Sequence, residues 1–365
     1  MSILIRFLQD PKKLNHISLK EWRTVFLEAK KSNLFGRLAF LIEKENINIP
    51  SKIEWHFESY KKQSAQQRQQ AIREFKELNI ALNSFDGQYA LLKGSAYIAH
   101  NFDFSFGRRF SDIDILVNKD ELGAIELRLR VAGWLRGQIE DYDDKYYREW
   151  MHEIPPLHHK DRQTVLDVHH NILPKTNQRH FSANEFNFIS IDIEQVGRVK
   201  TLAYEDMFIH SAVHLFTESE FNNGLRDIVD LDSLLLELEA LDRDIVNRII
   251  ERAIKLNVSN YVYYAFRYTY LIMNNRLACY GLEQLSFAAP KHLYVFDLVF
   301  INVFKPDVAH LKSFKVSLAK LVLYWRGHLL RMPLRLLIPH LCRKAYMRIA
   351  ESFDKKSTIN DEQLP

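Results

Sequence analysis

Most of the chain carries apolar residues at helical spacing, and three short stretches break that pattern. In the first 84 residues, Trp22, Val25, Phe26 and Ala29 follow one another at three- and four-residue steps behind Ser18. Glu21 stands three places after Ser18, which is the pairing of a capping box. Leu34, Leu38 and Leu41 continue the pattern until 46–50 break it. A long helix is predicted from Ser51, striped by Ile53, Phe57, Tyr60, Ile72, Phe75, Leu78 and Leu82, with a polar, solvated middle over 61–70. These helices form a wall beside whatever follows or a plain structural bundle.

The exceptions are short apolar runs at 88–92, 113–117 and 163–172. Each has strand length, and Asp86-Gly87 supplies a turn into the first. Residues 119–133 read as an amphipathic helix ended by Gly133, 134–139 as a strand and 140–145 as an acidic loop. Residues 146–157 and 163–172 read as a hairpin, whose first arm is an edge or is bulged at Pro155-Pro156 because proline cannot serve a central ladder. Residues 181–200 read as a mixed connection, and 202–215, 224–240 and 253–274 as helices.

Candidate chemistry concentrates in 91–117. The first run ends on Lys93-Gly94-Ser95, and the second begins with Asp112 and Asp114 flanking Ile113. A strand has a side-chain period of two, so both carboxylates point one way while Ile113 and Ile115 point into the sheet. Two adjacent carboxylates repel each other unless a cation sits between them, and hard ions such as Mg²⁺ take carboxylate oxygens together with substrate phosphates. Gly94 lets backbone approach a ligand closely, Ser95 adds a hydroxyl, and a helix starting there would aim N–H groups at an anion. Lys93 and Arg109 suit triphosphate oxygens.

Gly94-Ser95 followed by Asp112-Ile113-Asp114 resembles the nucleotidyltransferase signature of the DNA-polymerase-beta-like superfamily. Lys-Gly-Ser with Arg-Arg-Phe-Ser-Asp-Ile-Asp-Ile-Leu-Val is closest to the group called uncharacterised nucleotidyltransferases. The resemblance covers roughly 90–172, with a weaker echo to 235, and departs from the usual pattern over 101–107, where a tyrosine and a proline are expected before the arginine. It implies a third carboxylate on a later strand, supplied by Asp167 in Val165-Leu166-Asp167-Val168-His169. It also implies an α/β (α+β) fold, a small mixed-sheet core with flanking helices. The expected organisation is a helical region over 1–85, the core over 86–200, a helical region over 201–285 and a basic helical region with a frayed tail over 286–365.

The resemblance implies transfer of NMP from an NTP, ATP first among them, to an acceptor hydroxyl on a small molecule, a protein or RNA. Asp112, Asp114 and Asp167 would hold two Mg²⁺ ions, with Mn²⁺ as a substitute, and Lys93, Gly94, Ser95 and Arg109 the nucleotide. A glycosyltransferase using Asp112-X-Asp114 on a nucleotide sugar, a non-catalytic nucleotide-binding module and a scaffold with solvated strand ends are the rivals. His152, His158 and His159 lack the spacing of a zinc set, and no cysteine lies nearby. His210 and His214 fall on one helix face as core or pocket-wall residues, and an Arg226–Asp230 pair at i, i+4 is expected.

Composition narrows the class. With 47% hydrophobic residues in 365, the chain can bury a sizeable core. Eleven glycines and ten prolines favour helices over a many-turned all-β chain. Two cysteines, Cys279 and Cys342, imply no disulfide framework and fit a reducing, cytoplasmic setting. The first apolar run is too short for a signal peptide, and no window reaches a membrane span. A net charge of +4 does not argue for nucleic acid by itself. From 311 to 350, however, nine basic residues occur with no acid. That stretch reads as a solvated face over a leucine side, as a peripheral contact with an anionic membrane, or as the holder of an anionic acceptor such as RNA.

Overall fold

A computed structural model describes residues 2–82, 89–137, 147–148, 151–332, 334–335 and 337–339. The expected turn at 86–87, the acidic loop at 140–145, Cys342 and the tail beyond 339 lie outside the described residues.

The N-terminal helices are α1 (Ile3–Gln9), α2 (Leu19–Lys31), α3 (Phe35–Lys44) and α4 (Ser51–Leu82). The capping box before α2 is formed in both directions by Ser18 and Glu21. Trp22, Val25 and Ala29 are buried, as their spacing requires. The polar middle of α4 is mostly exposed, as expected, with two exceptions. Ser64 is buried, and Arg68 donates to Ser105 Oγ at 2.7 Å and to Asn101 Oδ1 at 2.7 Å while its guanidinium lies 4.2 Å from the Phe106 ring. These polar positions face the 101–107 loop rather than water.

A seven-stranded mixed sheet follows, in the order β3-β4-β5-β2-β1-β7-β6. Its strands are β1 (Ala90–Leu91), β2 (Ile113–Leu116), β3 (Trp134–Arg136), β4 (Leu157–His159), β5 (Val165–His169), β6 (Phe188–Ile193) and β7 (Gly197–Leu202). Helix α5 (Lys93–Ala99) leaves β1, and α6 (Leu122–Val131) joins β2 to β3 after a 3-10 turn. Gly133 ends that segment at φ +97°, a left-handed conformation that glycine adopts without steric penalty.

Three expectations need correction. Among the described residues the arm predicted over 146–157 is a strand only where β4 begins at Leu157, and β4 is no edge, because it lies between β3 and β5. Pro155-Pro156 instead interrupts the arm, leaving an isolated bridge between Glu153 and His169 upstream. Residues 181–200 are no mere connection: they form the β6–β7 hairpin, and β7 pairs parallel with β1. The helix predicted over 253–274 is two helices, broken where Asn257 takes φ 58°.

The remaining helices are α7 (Tyr204–Thr217), α8 (Gly224–Leu241), α9 (Ile245–Lys255), α10 (Ser259–Met273), α11 (Arg276–Gln284), α12 (Leu293–Val303) and α13 (Phe314–Arg331). A cluster of buried apolar side chains runs from Leu4 to Leu323 through sheet and helices alike. Helix α13 carries part of the basic stretch, and its charges are not all solvated. Arg326 donates to Phe216 O at 2.6 Å beneath the Tyr264 and Phe300 rings, and Arg331 meets Glu218 at 2.9 Å. Lys315 and Lys320 stay exposed beside Leu318 and Leu321. Among the described residues no helix is long and apolar enough to cross a membrane.

One close approach seats the loop that follows α5. A Cβ on Gly36 would meet the Gly107 carbonyl oxygen at 2.2 Å. Gly36→Ala must therefore push α3 and the loop apart, and such overpacking costs about 1–3 kcal/mol. Denaturant unfolding should report that loss; an unchanged midpoint would mean that the loop does not rest on α3.

Candidate active site

Strand alternation builds the site. Along β2, Ile113 and Ile115 face one side and Asp114 the other; along β5, Leu166 and Val168 oppose Asp167 and His169. The two strands are parallel neighbours in a register that makes Asp114 and Asp167 direct partners. Asp112, Asp114 and Asp167 line one cavity of about 390 Å³ together with Lys93, Gly94, Arg109 and Arg226.

Asp114 is 5% exposed, and its Oδ1 accepts from Lys93 Nζ at 2.7 Å and from His169 Nε2 at 3.0 Å. Burial opposes ionisation, but the Lys93 ammonium and the His169 hydrogen bond hold its carboxyl well below the usual carboxylate range. The cation expected between the aspartates is thus, for Asp114, the neighbouring lysine. Lys93 reaches it from the strand–helix junction at φ 45°, a left-handed conformation that costs a side-chain-bearing residue free energy. For Lys93, burial is likewise outweighed by Asp114, and its ammonium titrates above the ordinary lysine value.

Asp167 has the opposite balance. Its Oδ1 is buried without a hydrogen-bond partner. Burial, with Asp114 and then Asp112 adding repulsion, pushes its carboxyl up to about 7. Asp112 is half-buried and accepts from Ser111 Oγ at 2.9 Å.

The structure divides the nucleotide residues chosen from sequence. Gly94 faces the carboxylate cavity, whereas Ser95, one helical step on, lines a second cavity with Gln67, Glu74 and Thr164. Phe110, Ser111 and Asp112 form a wall common to both. Arg109 is exposed at the rim and makes no ion pair among the described residues. Its neighbour Arg108, which sequence reasoning passed over, lies on Gly94: a Cβ there would meet Arg108 Nη1 at 2.4 Å and the Phe110 ring at 2.6 Å. Arg108 Nε donates to Asp230 Oδ2 at 2.8 Å, which removes Asp230 from the expected pair with Arg226. Arg226 bonds the adjacent Asp227 instead, at 2.7 Å.

Glu153, His214 and Glu218 also line the cavity, and no sequence signal pointed to Glu153 or Glu218. His214 Nε2 lies 3.3 Å from Glu218. Burial, with Lys93 nearby, keeps His210 and His214 well below the usual imidazole range. Of the three histidines weighed for zinc, His159 packs against Trp134 and accepts from the N–H groups of Asp161 and Arg162, and His158 is exposed. His152 joins Glu153 and His169 instead.

Residues 18–274 match the family described as uncharacterised nucleotidyltransferase, which is most of the chain. The chain belongs to that family. No curated protein and no solved structure matches it.

The charge balance at Asp167 can be measured without substrate. Burial lifts its carboxyl above the ordinary aspartate range in the folded chain, so protonated Asp167 favours the folded state. That contribution is complete below about pH 4 and is lost as pH rises through about 7. In chelator-treated protein Asp167→Asn should raise the melting temperature at pH 8 by about 1–2 °C, the shift of roughly 1 kcal/mol in a chain of 365 residues. The gain should be smaller at pH 5. A gain independent of pH would mean that the three carboxylates do not repel at this site.

Proposed function

We propose that this chain transfers NMP from an NTP, ATP being the first choice, to an acceptor hydroxyl with release of pyrophosphate. The observation that carries the reading is the register pairing of Asp114 with Asp167 on adjacent strands, with Asp112 on the same cavity. Two acids at the head of one strand are consistent with solvation or nucleotide binding alone. A third on the partner strand, with one oxygen buried and without a hydrogen bond, supports a reaction centre.

The donor set fits a hard divalent cation, since it is all carboxylate and Asp167 Oδ1 has no other partner. Asp112, Asp114 and Asp167 would hold two Mg²⁺ ions, or Mn²⁺. Such ions neutralise charge on the transferred phosphoryl group and lower the pKa of the attacking hydroxyl.

The chain's own residues do the rest. Lys93, Arg109 and Arg226 offer cationic contacts to a triphosphate in a cavity whose lining is otherwise acidic, so the phosphate charge would be met mainly by the divalent cations. Arg108 and Phe110 lie against Gly94, so the guanidinium reaches an anion bound at the start of α5. Ser95 serves from the neighbouring cavity, against the common wall at Asp112. Lys93 keeps Asp114 ionised, and His169 fixes the orientation of its carboxylate. Holding the reacting groups in line and neutralising their charge carries most of a phosphoryl-type transfer.

The test compares two variants on the same preparations, with affinity for Mg²⁺·ATP by calorimetry and single-turnover label transfer from α-labelled NTP to cell-extract fractions. Asp167→Asn should leave affinity within a few-fold of wild type and lower transfer by at least about 10³. Asp112→Asn should impair both. If Asp167→Asn transfers label at the wild-type rate, the chain is a nucleotide-binding module rather than an enzyme of this kind.

A further inference from the structure

We propose that His152, Glu153 and His169 form a second cation site, which takes a borderline transition-metal ion of the Zn²⁺ class. Each residue offers one ligand atom, and these atoms all lie within 4.8 Å of one another. The site adjoins the three-carboxylate set, with Glu153 on the same cavity and His169 bonded to Asp114, but it uses none of those three acids as a ligand and does not depend on the nucleotidyl-transfer reading.

Backbone pairing brings the residues together. The isolated bridge makes Glu153 and His169 antiparallel partners. The N–H groups of His170 and Asn171 both donate to the His152 carbonyl, at 2.9 and 3.1 Å, and so fix His152 beside them. The His152 and His169 rings then stack with centroids 5.7 Å apart.

The hydrogen bonds of His169 point to a cation. An ionised Asp114 can only accept, so at 3.0 Å the His169 Nε2 must carry the hydrogen. In the neutral ring that leaves a lone pair on Nδ1. His169 is 1% exposed, its Nδ1 has no hydrogen-bond partner, and Glu153 Oε2 lies 3.5 Å from it. A lone pair facing a carboxylate oxygen in a buried setting is repulsive unless a cation stands between them. His152 Nδ1 is likewise buried and unpartnered. A ring nitrogen bonded to a carboxylate while the other faces a metal is the arrangement that orients metal-binding histidines. Two imidazoles and one carboxylate leave a further position for water or a ligand. Nitrogen donors favour Zn²⁺ or Co²⁺ over Mg²⁺, which suits the all-oxygen set beside it.

The rival is a protonated His169 bridging Asp114 and Glu153 with no metal. The experiment titrates chelator-stripped protein with Zn²⁺ against a chromophoric chelator in excess Mg²⁺. We expect one equivalent of Zn²⁺ to be held and Mg²⁺ not to displace it. Glu153→Gln and His152→Gln should each weaken Zn²⁺ binding by at least about tenfold, the scale of losing a supporting group, while Asp112→Asn and Asp167→Asn stay within about threefold. X-ray absorption on the Zn²⁺-loaded wild type, which needs no variant, should find scattering from two imidazoles. Absence of retained Zn²⁺, a spectrum without imidazole, or Zn²⁺ lost in Asp112→Asn but kept in Glu153→Gln would each overturn the proposal.

Discussion

The buried carboxylate of Asp114 is the constraint around which the centre of the molecule is arranged. It sits in the middle of the sheet, where an ionised group without partners would cost several kcal/mol. Lys93 reaches it from the β1–α5 junction and His169 from β5, so one oxygen ties three successive pieces of the core. The left-handed backbone at Lys93 has its explanation there, because the ion pair offsets a conformation that would otherwise be unfavourable. Asp114 Oδ1 takes both donors, and among the described residues Oδ1 of its register partner Asp167 is left without one. The asymmetry between the two carboxylates follows from a single distribution of hydrogen bonds.

The local part of this arrangement was legible in the chain. Apolar runs of strand length marked β2 and β5, and alternation set Asp112 and Asp114 on one face, while Asp167 was picked out by the family resemblance. The register of β2 against β5 was not, because parallel neighbours are joined by a long crossover that fixes no pairing in advance. The same limit hid Glu153, whose role depends on a bridge to a residue sixteen positions on. The β6–β7 hairpin escaped notice although Ile189, Ile191 and Ile193 alternate, since all three are only half-buried and the signal is weak. The break between α9 and α10 escaped because apolar spacing continues across Asn257, and only its left-handed backbone interrupts the helix.

The N-terminal helices hold the loop that leads into the candidate site. Gly36 meets Gly107 without room for a side chain, Arg68 bonds Ser105 and Asn101, and Lys44 pairs with Asp103. Together these contacts hold the 101–107 loop, the segment that departs from the family's usual pattern. That loop delivers Arg108 onto Gly94 and, through Asp230, onto α8. The sequence pointed to Arg109 and not to its neighbour, yet both arginines line the cavity: Arg108 turns inward to Asp230, and Arg109 is exposed at the rim.

Strand periodicity also accounts for the nearness of two unlike donor sets. Residues two apart on β5 share a face, so the alternation that turns Asp167 toward the cavity turns His169 the same way. His169 is opposite Leu116 in the register, two places beyond Asp114, and its ring reaches back to the aspartate. Asp114 thereby becomes the boundary between an oxygen-only group, with Asp112 and Asp167, and a nitrogen-containing group, with His152 and Glu153. The sheet can therefore hold chemically distinct groups one residue step apart, provided that the aspartate between them stays ionised and paired.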